Sequence, residues 1–292
     1  MTTACLLLAC SKDDGDKTPD KRLPISVEVA GNPMTNPDDT QTRSAIATAV
    51  TSPFYMKGKD ASYEVTKGST TWSVSPGYWP IGATAEEDVL FCAYTNGEYD
   101  QPANPYIHFT VSGDAYSQHD LLVATNTTSQ STKSGRVDLT FDHACAALQF
   151  SIAKTSNLAD YTIHVSKVQL CNVYSVGKYY FTSATWANLG TPANYTLSTA
   201  MDMSVTEAPK RLPSDESNDC LFLIPQKLTG WDKSGTPSNC YIKITCNITG
   251  AKTFRGDAYI PFGYTLDKGK CYPIKIAMGT GLRDGEGNKI FE

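Results

Sequence analysis

Short runs in which apolar and polar residues alternate recur along the chain, and Gly, Pro, Asn and Asp separate them. Every second residue is apolar in ranges 25–30, 137–141, 242–248 and 274–278. A period of two is typical of a half-buried β-strand, and no window shows a comparable helical period. Parallel α/β folds need crossover helices between strands, where this chain has turn residues instead. The pattern predicts an all-β protein made of antiparallel sandwiches.

Further short runs support this prediction. Residues 62–65, 71–74, 89–94, 106–111, 121–124 and 148–152 are rich in β-forming residues and bounded by turn residues. Apolar residues occupy one phase from Tyr161 to Val165 and the other phase from Val168 to Leu170. Such a slip within one strand predicts a β-bulge.

The length of the chain predicts two domains. A chain of 292 residues with 40% apolar residues has room for two β-domains of roughly 100–150 residues each. A polar stretch at 126–134 places the boundary at Gly135, which gives an N-terminal domain over 25–135 and a C-terminal domain over 136–292. Residues 11–24 are charged and poor in apolar residues, so we expect a flexible tether there.

The charge balance excludes one class of partner. The chain has 25 basic and 30 acidic residues, a net charge of -5, and no long basic run. Proteins that bind nucleic acid or anionic membranes through charge present a basic patch or stripe. We therefore expect no nucleic-acid partner.

The cysteine pattern indicates neither a metal site nor a redox site. The chain has nine cysteines and no C-x-x-C pair, and Cys240 and Cys246 are close only within one alternating run. A zinc site needs two close pairs of ligands. We expect buried free thiols, which behave as small apolar residues.

No pattern of catalytic residues stands out. The four histidines lack the spacing of a metal-binding pair, and no glycine-rich phosphate loop joins a strand to a helix. His143 lies close to Cys145 in sequence, but neighbouring residues of a strand point to opposite faces, so this spacing creates no Cys–His pair. We expect a protein that is not an enzyme and that holds no metal and no cofactor.

The N-terminus resembles a bacterial lipoprotein signal. Residues 7–10, Leu-Leu-Ala-Cys, resemble a lipobox whose Cys10 is acylated and becomes the first mature residue, and residues 11–16 resemble the acidic tract of surface-exposed Bacteroidetes lipoproteins. Only nine residues precede Cys10 and none is basic, so we expect the signal, here residues 1–10, to begin further upstream. Loss of Cys5 and acylation of Cys10 would leave seven cysteines, an odd number that excludes complete disulfide pairing.

Several short phrases follow one another through most of the chain. They are Trp79-Pro80, V-L-F-C-A-Y at 89–94, Q-H-D-L-L-V-A at 118–124, V-D-L-T-F-D-H-A-C-A-A-L-Q-F-S-I at 137–152, V-Q-L-C-N-V-Y-S-V-G at 168–177, Trp186, and L-F-L-I-P-Q at 221–226. In this order they resemble the fimbrillin family of Bacteroidetes, especially its Mfa-like branch, over residues 25–280.

The resemblance implies a fold, a location and a role. It implies two transthyretin-like antiparallel β-sandwich domains in tandem, and export to the cell surface as an outer-membrane lipoprotein. It also implies a stalk or tip subunit of a fimbria, with other fimbrial subunits as partners. In stalk members, proteolysis after an arginine frees an N-terminal strand. The matching position here is the bond between Arg43 and Ser44, and the freed strand would contain Ile25, Val27 and Val29.

Loss of a strand leaves unpaired backbone groups and an apolar groove, which the terminal segment of a neighbouring subunit fills. A contact of this head-to-tail kind does not close, so it produces a fibre. The tail after Met278 is rich in glycine and charge and is a poor donor. Either residues 272–278 are the donor, or the protein accepts a donor strand without offering one, as a tip subunit would.

One alternative remains open from the sequence, a surface lipoprotein that binds host or bacterial glycans. Exposed aromatic rings stack on sugars, and the candidates are Trp72, Trp79, Trp186 and Trp231. Most tryptophans, however, are core residues. Proteins on a host or bacterial surface are the second class of adhesion target that the sequence leaves open.

Overall fold

A computed structural model describes residues 23–37, 48–100, 103–198, 203–212 and 220–291. In these ranges the regular elements are twenty β-strands and three short 3₁₀ turns, at Ala115–Ser117, Thr132–Gly135 and Ser156–Leu158. The prediction of an all-β protein is therefore confirmed.

The strands, in chain order, are β1 (Ser26–Gly31), β2 (Phe54–Gly58), β3 (Ala61–Lys67), β4 (Trp72–Ser75), β5 (Val89–Tyr94), β6 (Glu98–Asp100), β7 (Tyr106–Thr110), β8 (Leu122–Thr128), β9 (Arg136–His143) and β10 (Ala146–Lys154). They continue with β11 (Thr162–Tyr180), β12 (Thr185–Ser198), β13 (Met203–Ser204), β14 (Lys210–Leu212), β15 (Leu221–Leu223), β16 (Lys227–Leu228), β17 (Tyr241–Thr249), β18 (Phe254–Pro261), β19 (Tyr264–Thr265) and β20 (Cys271–Met278).

The first sheet has seven strands in the order β1-β9-β8-β5-β2-β3-β4. It curls until its two outer strands, β1 and β4, contact each other. The backbone closes this contact, because the Ile25 N–H donates to Gly77 O at 3.0 Å and the Trp79 N–H donates to Leu23 O at 3.1 Å. These bonds lie just before β1, so they cover the N-terminal end of its outer edge.

The remaining strands form three further sheets. β10 pairs with β14 and β15 on one side and with β20 on the other, and β16 pairs with β19. The long strand β11 organises a second seven-stranded sheet, in which β7, β12, β13 and β17 all pair with it. The register of β11 against β17 shifts between Val165 and Lys167, so the predicted β-bulge is confirmed.

The expectation of wholly antiparallel pairing is wrong at two places. β1 runs parallel to β9, and β10 runs parallel to β20. Antiparallel pairing follows naturally from a hairpin, whereas parallel strands need a long connection. More than a hundred residues separate the strands of each parallel pair, so no hairpin dictates their direction.

The sheets do not follow the halves of the sequence. Gly135 lies between β8 and β9, which pair with each other in the first sheet, while β6 and β7 join the sheet of β11. The boundary at 135 and the tandem of transthyretin-like domains remain predictions.

Strand β5 shows how two cores meet. Phe91 and Ala93 lie in the core enclosed by the first sheet, whereas Cys92 and Tyr94 belong to the larger core beneath the other sheets. A strand buried on both faces has a continuous apolar sequence. This explains why V-L-F-C-A-Y lacks alternation.

All seven cysteines of the described residues are buried, and six of them, Cys92, Cys145, Cys171, Cys240, Cys246 and Cys271, are free thiols, which confirms the prediction for these six positions. Burial raises the pKa of the Cys92 thiol to about 12 and that of Cys171 to about 11. These thiols therefore serve as packing groups. Cys5 and Cys10 lie outside the described residues.

Gly135 lies against Pro24, just before β1, at a position where the side chain of alanine does not fit. Its φ is +84°, and a Cβ there would stand 2.6 Å from Pro24 O and 3.0 Å from Trp79 Nε1. Gly82 has a φ of +72° with no atom near its missing Cβ, so it is a matched control. We expect Gly82→Ala to cost about 1–2 kcal/mol of unfolding free energy and Gly135→Ala clearly more. Urea unfolding of both variants measures this, and equal losses would contradict the steric argument.

Candidate subunit interface around the first strand

Of the residues predicted to form a displaceable strand, Val27 and Val29 lie in β1, and Ile25 directly precedes it. Ile25 and Val27 are buried, at 6% and 9% exposure, and belong to the core of the first sheet, against which Val29 packs in part. The remaining predicted positions, Cys10, Arg43 and Ser44, lie outside the described residues. The structure thus places the predicted strand at the outer position of a sheet, with its apolar face inward.

Strand β1 is held from both sides. Its ladder with β9 runs from the Ser26–Arg136 pair to the Gly31–Phe141 pair. On the other side, Pro24 forms an antiparallel bridge with Tyr78. Trp79 is fully buried beside this bridge and donates its indole N–H to Gly135 O at 3.0 Å. Removal of β1 would therefore unpair the edge of β9 and open the core of the sheet.

Asn32, directly after β1, binds the end of β9. Its backbone N–H donates to Phe141 O at 2.8 Å, and its side-chain amide donates to Asp142 Oδ1 at 2.8 Å. Its carbonyl oxygen accepts the hydroxyl proton of Thr48. Asn32 and Thr48 flank residues 33–47 in the sequence, and this hydrogen bond joins them directly.

A hydrogen-bond chain continues inward from Thr48. Its hydroxyl oxygen lies 2.8 Å from His143 Nε2, and His143 Nδ1 contacts the Asp120 carboxylate. The His143 and Asp120 side chains are only 4% and 12% exposed. Burial raises the pKa of Asp120, and the hydrogen bond from His143 opposes that rise. We name Asn32, Thr48, His143 and Asp120 the Asn32 node.

Thr48, His143 and Asp120 follow one another in the same order as the nucleophile, the base and the orienting carboxylate of a catalytic triad. Their hydrogen bonds, however, are arranged differently. The hydroxyl proton of Thr48 points to Asn32 O, a group that only accepts. Because the Thr48 hydroxyl donates to Asn32 O, it does not donate to His143 Nε2 in this structure. The node holds segments together and does not activate an oxygen.

Cys145 does not pair with His143. The imidazole is engaged by Thr48 and Asp120, and burial raises the pKa of the Cys145 thiol well above its usual value. A reactive cysteine needs the thiolate form. In this structure Cys145 therefore forms no catalytic pair with His143.

A second contact, which the sequence did not predict, lies beyond β1. Met34 is fully buried in a separate cluster with Ala147, Cys220 and Cys271. Thr35 forms a parallel bridge with Lys270. No periodic pattern marks Met34, because it is a single apolar residue in a stretch of Pro, Asn and Asp.

The predicted donor region is part of the core of its own chain. β20 pairs with β10 at eight positions, from Ala147–Cys271 to Lys154–Met278, and Met278 is fully buried. The residues that follow also pack inward, since the ring of Phe291 meets that of Tyr161 with centroids 5.1 Å apart.

Few of the tryptophan rings are exposed enough to stack on a sugar. Trp79 and Trp231 are 0% and 2% exposed. Trp72 is partly buried against Phe54, and Trp186 donates its indole N–H to Ala144 O at 2.7 Å. Two of the four candidate stacking platforms are thus inside the protein.

The part of the chain that the structure describes offers neither a cluster of metal ligands nor a membrane-spanning helix. No group of three or more His, Cys, Asp or Glu side chains is arranged to hold a metal ion. Within the same part of the chain, no helix has the length and apolar character needed to cross a bilayer.

Comparisons with known proteins agree with the fold. The sequence profile described as fimbrillin-like matches residues 33–290. The crystal structure of a fimbrial protein from Bacteroides vulgatus superposes with a TM-score of 0.54 at 17% identity, over 88% of this chain and 95% of that one. A proposed cell adhesion protein from Bacteroides eggerthii gives a TM-score of 0.50 at 14% identity, over 94% and 93% of the two chains. No curated protein sequence gives a significant match. The chain belongs to the fimbrillin-like family.

Proposed function

We propose that this protein is a structural, non-catalytic subunit of a cell-surface fimbria, exported as an outer-membrane lipoprotein through Cys10. Its proposed partners are other fimbrial subunits, and its part in assembly is to accept a strand from a neighbour. The observation that supports this most is the position of β1, at the edge of its sheet. A cut between Arg43 and Ser44 would separate β1 from the rest of the chain.

Physical chemistry supports strand acceptance at this place. Without β1, the backbone groups of β9 from Arg136 to Phe141 lose their partners, and the positions of Ile25 and Val27 become an open apolar groove. An exposed strand edge beside a groove is a template for an added strand. In such a complex the groove selects the side chains of the added strand, and the backbone hydrogen bonds to β9 supply the affinity.

The C-terminal region favours an accepting role over a donating one. To act as a donor, β20 would have to leave its ladder with β10 and expose Ile274, Ile276 and Met278, all of which are buried. We therefore propose that the protein accepts a donor strand while β20 stays in place, as a tip subunit would.

The test is an immunoblot of material sheared from native cells, with and without boiling, combined with sequencing of the mature N-terminus. We expect a ladder in the unboiled sample that collapses to one band on boiling, with Ser44 as the first residue. The ladder reports assemblies held by strand addition, and the N-terminus reports the cut. A single band in both samples that still begins at Cys10 would contradict strand acceptance by this chain.

A further inference from the structure

We propose that residues 23–37 stay bound to the protein as a separate peptide after the chain is cut between 37 and 48. Beyond the β1 ladder and the backbone bonds of residues 23–25, the binding site has two parts, the Met34 cluster and the Asn32 node. This inference rests on the proposed function, and it adds that cutting alone does not open the groove.

The first part of the site is the pocket that holds Met34. The Met34 side chain is fully buried against Ala147, Cys220 and Cys271, with Phe222 beside the cluster. These residues come from β10, β20 and the neighbourhood of β15, so they belong to a different sheet from β9. The peptide is thus anchored in two separate places.

Backbone and side-chain hydrogen bonds fix the same region. The Thr35 N–H donates to Gly269 O at 3.1 Å, and the Cys271 N–H donates to Thr35 O at 2.9 Å. Lys270 Nζ donates to Thr35 Oγ1 at 2.8 Å. Thr35 therefore extends the backbone pairing just ahead of β20. Its hydrogen bonds fix the backbone next to Met34, whose side chain lies in its pocket.

The second part of the site is the Asn32 node. Asn32 donates to Phe141 O and Asp142 Oδ1 and accepts from Thr48. All three partners lie on the part of the chain that remains after a cut between 37 and 48. None of these contacts depends on the covalent link, so a cut leaves them intact.

Release of the peptide must therefore break four groups of contacts, which are the β1 ladder, the backbone bonds of residues 23–25 to residues 77–79, the Asn32 node and the Met34 cluster. A strand that invades along β9 competes for the ladder and for Phe141 O, but not for the Met34 cluster. Met34, anchored in the other sheet, keeps the peptide attached during such a partial invasion. The Met34 cluster consequently controls how fast the groove becomes available.

The experiment uses the full chain with a sequence-specific protease site in place of residues 40–46, so that it does not depend on Arg43. The folded protein is cut and passed over a sizing column, and the protein peak is examined by mass spectrometry. Exchange of the bound peptide is then followed against an excess of labelled synthetic peptide 23–37. We expect the fragment to elute with the protein and to exchange slowly.

The variants isolate the role of Met34. Met34→Ala should speed exchange by at least about tenfold, since deletion of a fully buried methionine side chain is costly. Met34→Leu keeps the volume and should exchange nearly as slowly as the parent. Ser26→Ala changes an exposed side chain of the same peptide and should exchange at the parent rate.

Two results would overturn the inference. One is separate elution of the fragment directly after the cut of the parent protein. The other is an exchange rate of Met34→Ala equal to that of Ser26→Ala. Failure of the proposed function would show elsewhere, as native protein that keeps the residues before Ser44, because the engineered cut is independent of native processing.

Discussion

Replacement of Asp120 by alanine is expected to lower the free energy of unfolding by about 2–3 kcal/mol, because it leaves the buried His143 Nδ1 without its hydrogen-bond partner. His143 Nδ1 would face an empty space in an environment where its side chain is 4% exposed. The chain from Asp120 through His143 and Thr48 to Asn32 would lose its inner end. Urea unfolding followed by tryptophan fluorescence measures the loss.

Asp120→Asn is the matched control. An amide keeps the shape and a polar contact with His143, so we expect it to cost no more than about 1.5 kcal/mol. A loss in Asp120→Ala of less than about 1 kcal/mol would show that the contact between Asp120 and His143 contributes little, and would contradict the Asn32 node as a structural element.

The same pair gives a dependence on pH with a defined sign. Because burial raises the pKa of Asp120 above its ordinary value of 3.8, the folded chain binds this proton at a higher pH than the unfolded chain. The stability that the Asp120 carboxyl group contributes is fully present below its ordinary pKa of 3.8, and it is lost as the pH rises through the raised pKa of the folded state. Asp120→Asn cannot titrate. The stability of the parent relative to this variant should therefore increase as the pH is lowered towards 4.

Local sequence patterns were sufficient to predict most strands. The range 89–94 was predicted as a strand and is β5, and the alternating ranges 137–141, 242–248 and 274–278 lie within β9, β17 and β20. A period of two reports which face of a strand is buried, and this information is local. The predicted slip near Val165 was found for the same reason.

Pairing between distant strands was not predictable in this way. The parallel directions of β1 and β20 and the addition of β6 and β7 to the sheet of β11 depend on contacts between remote segments. The candidate site has the same limitation. Thr48 and His143 are 95 positions apart, and a single methionine at 34 has no period to detect. Sequence reasoning identified the strand β1, and the structure revealed what holds it.

The most far-reaching prediction concerns two arginines on either side of β1. Arg22 precedes β1 and Arg43 follows it. A cut after Arg22 leaves β1 covalently joined to the rest of the protein, whereas a cut after Arg43 makes β1 part of a separate peptide. Only the second cut allows another strand to replace β1 permanently, because a tethered strand rebinds at a high effective concentration.

We therefore expect Arg43→Ala to abolish the heat-sensitive ladder in cells, while Arg22→Ala leaves it unchanged. The measurement is an unboiled immunoblot of sheared material, with total protein and surface exposure measured to confirm that each variant is made and exported. A normal ladder from Arg43→Ala, with residues before position 44 still present, would show that assembly proceeds without release of β1. Loss of the ladder in Arg22→Ala alone would place the functional cut before β1, and β1 would then be a permanent strand of the mature subunit.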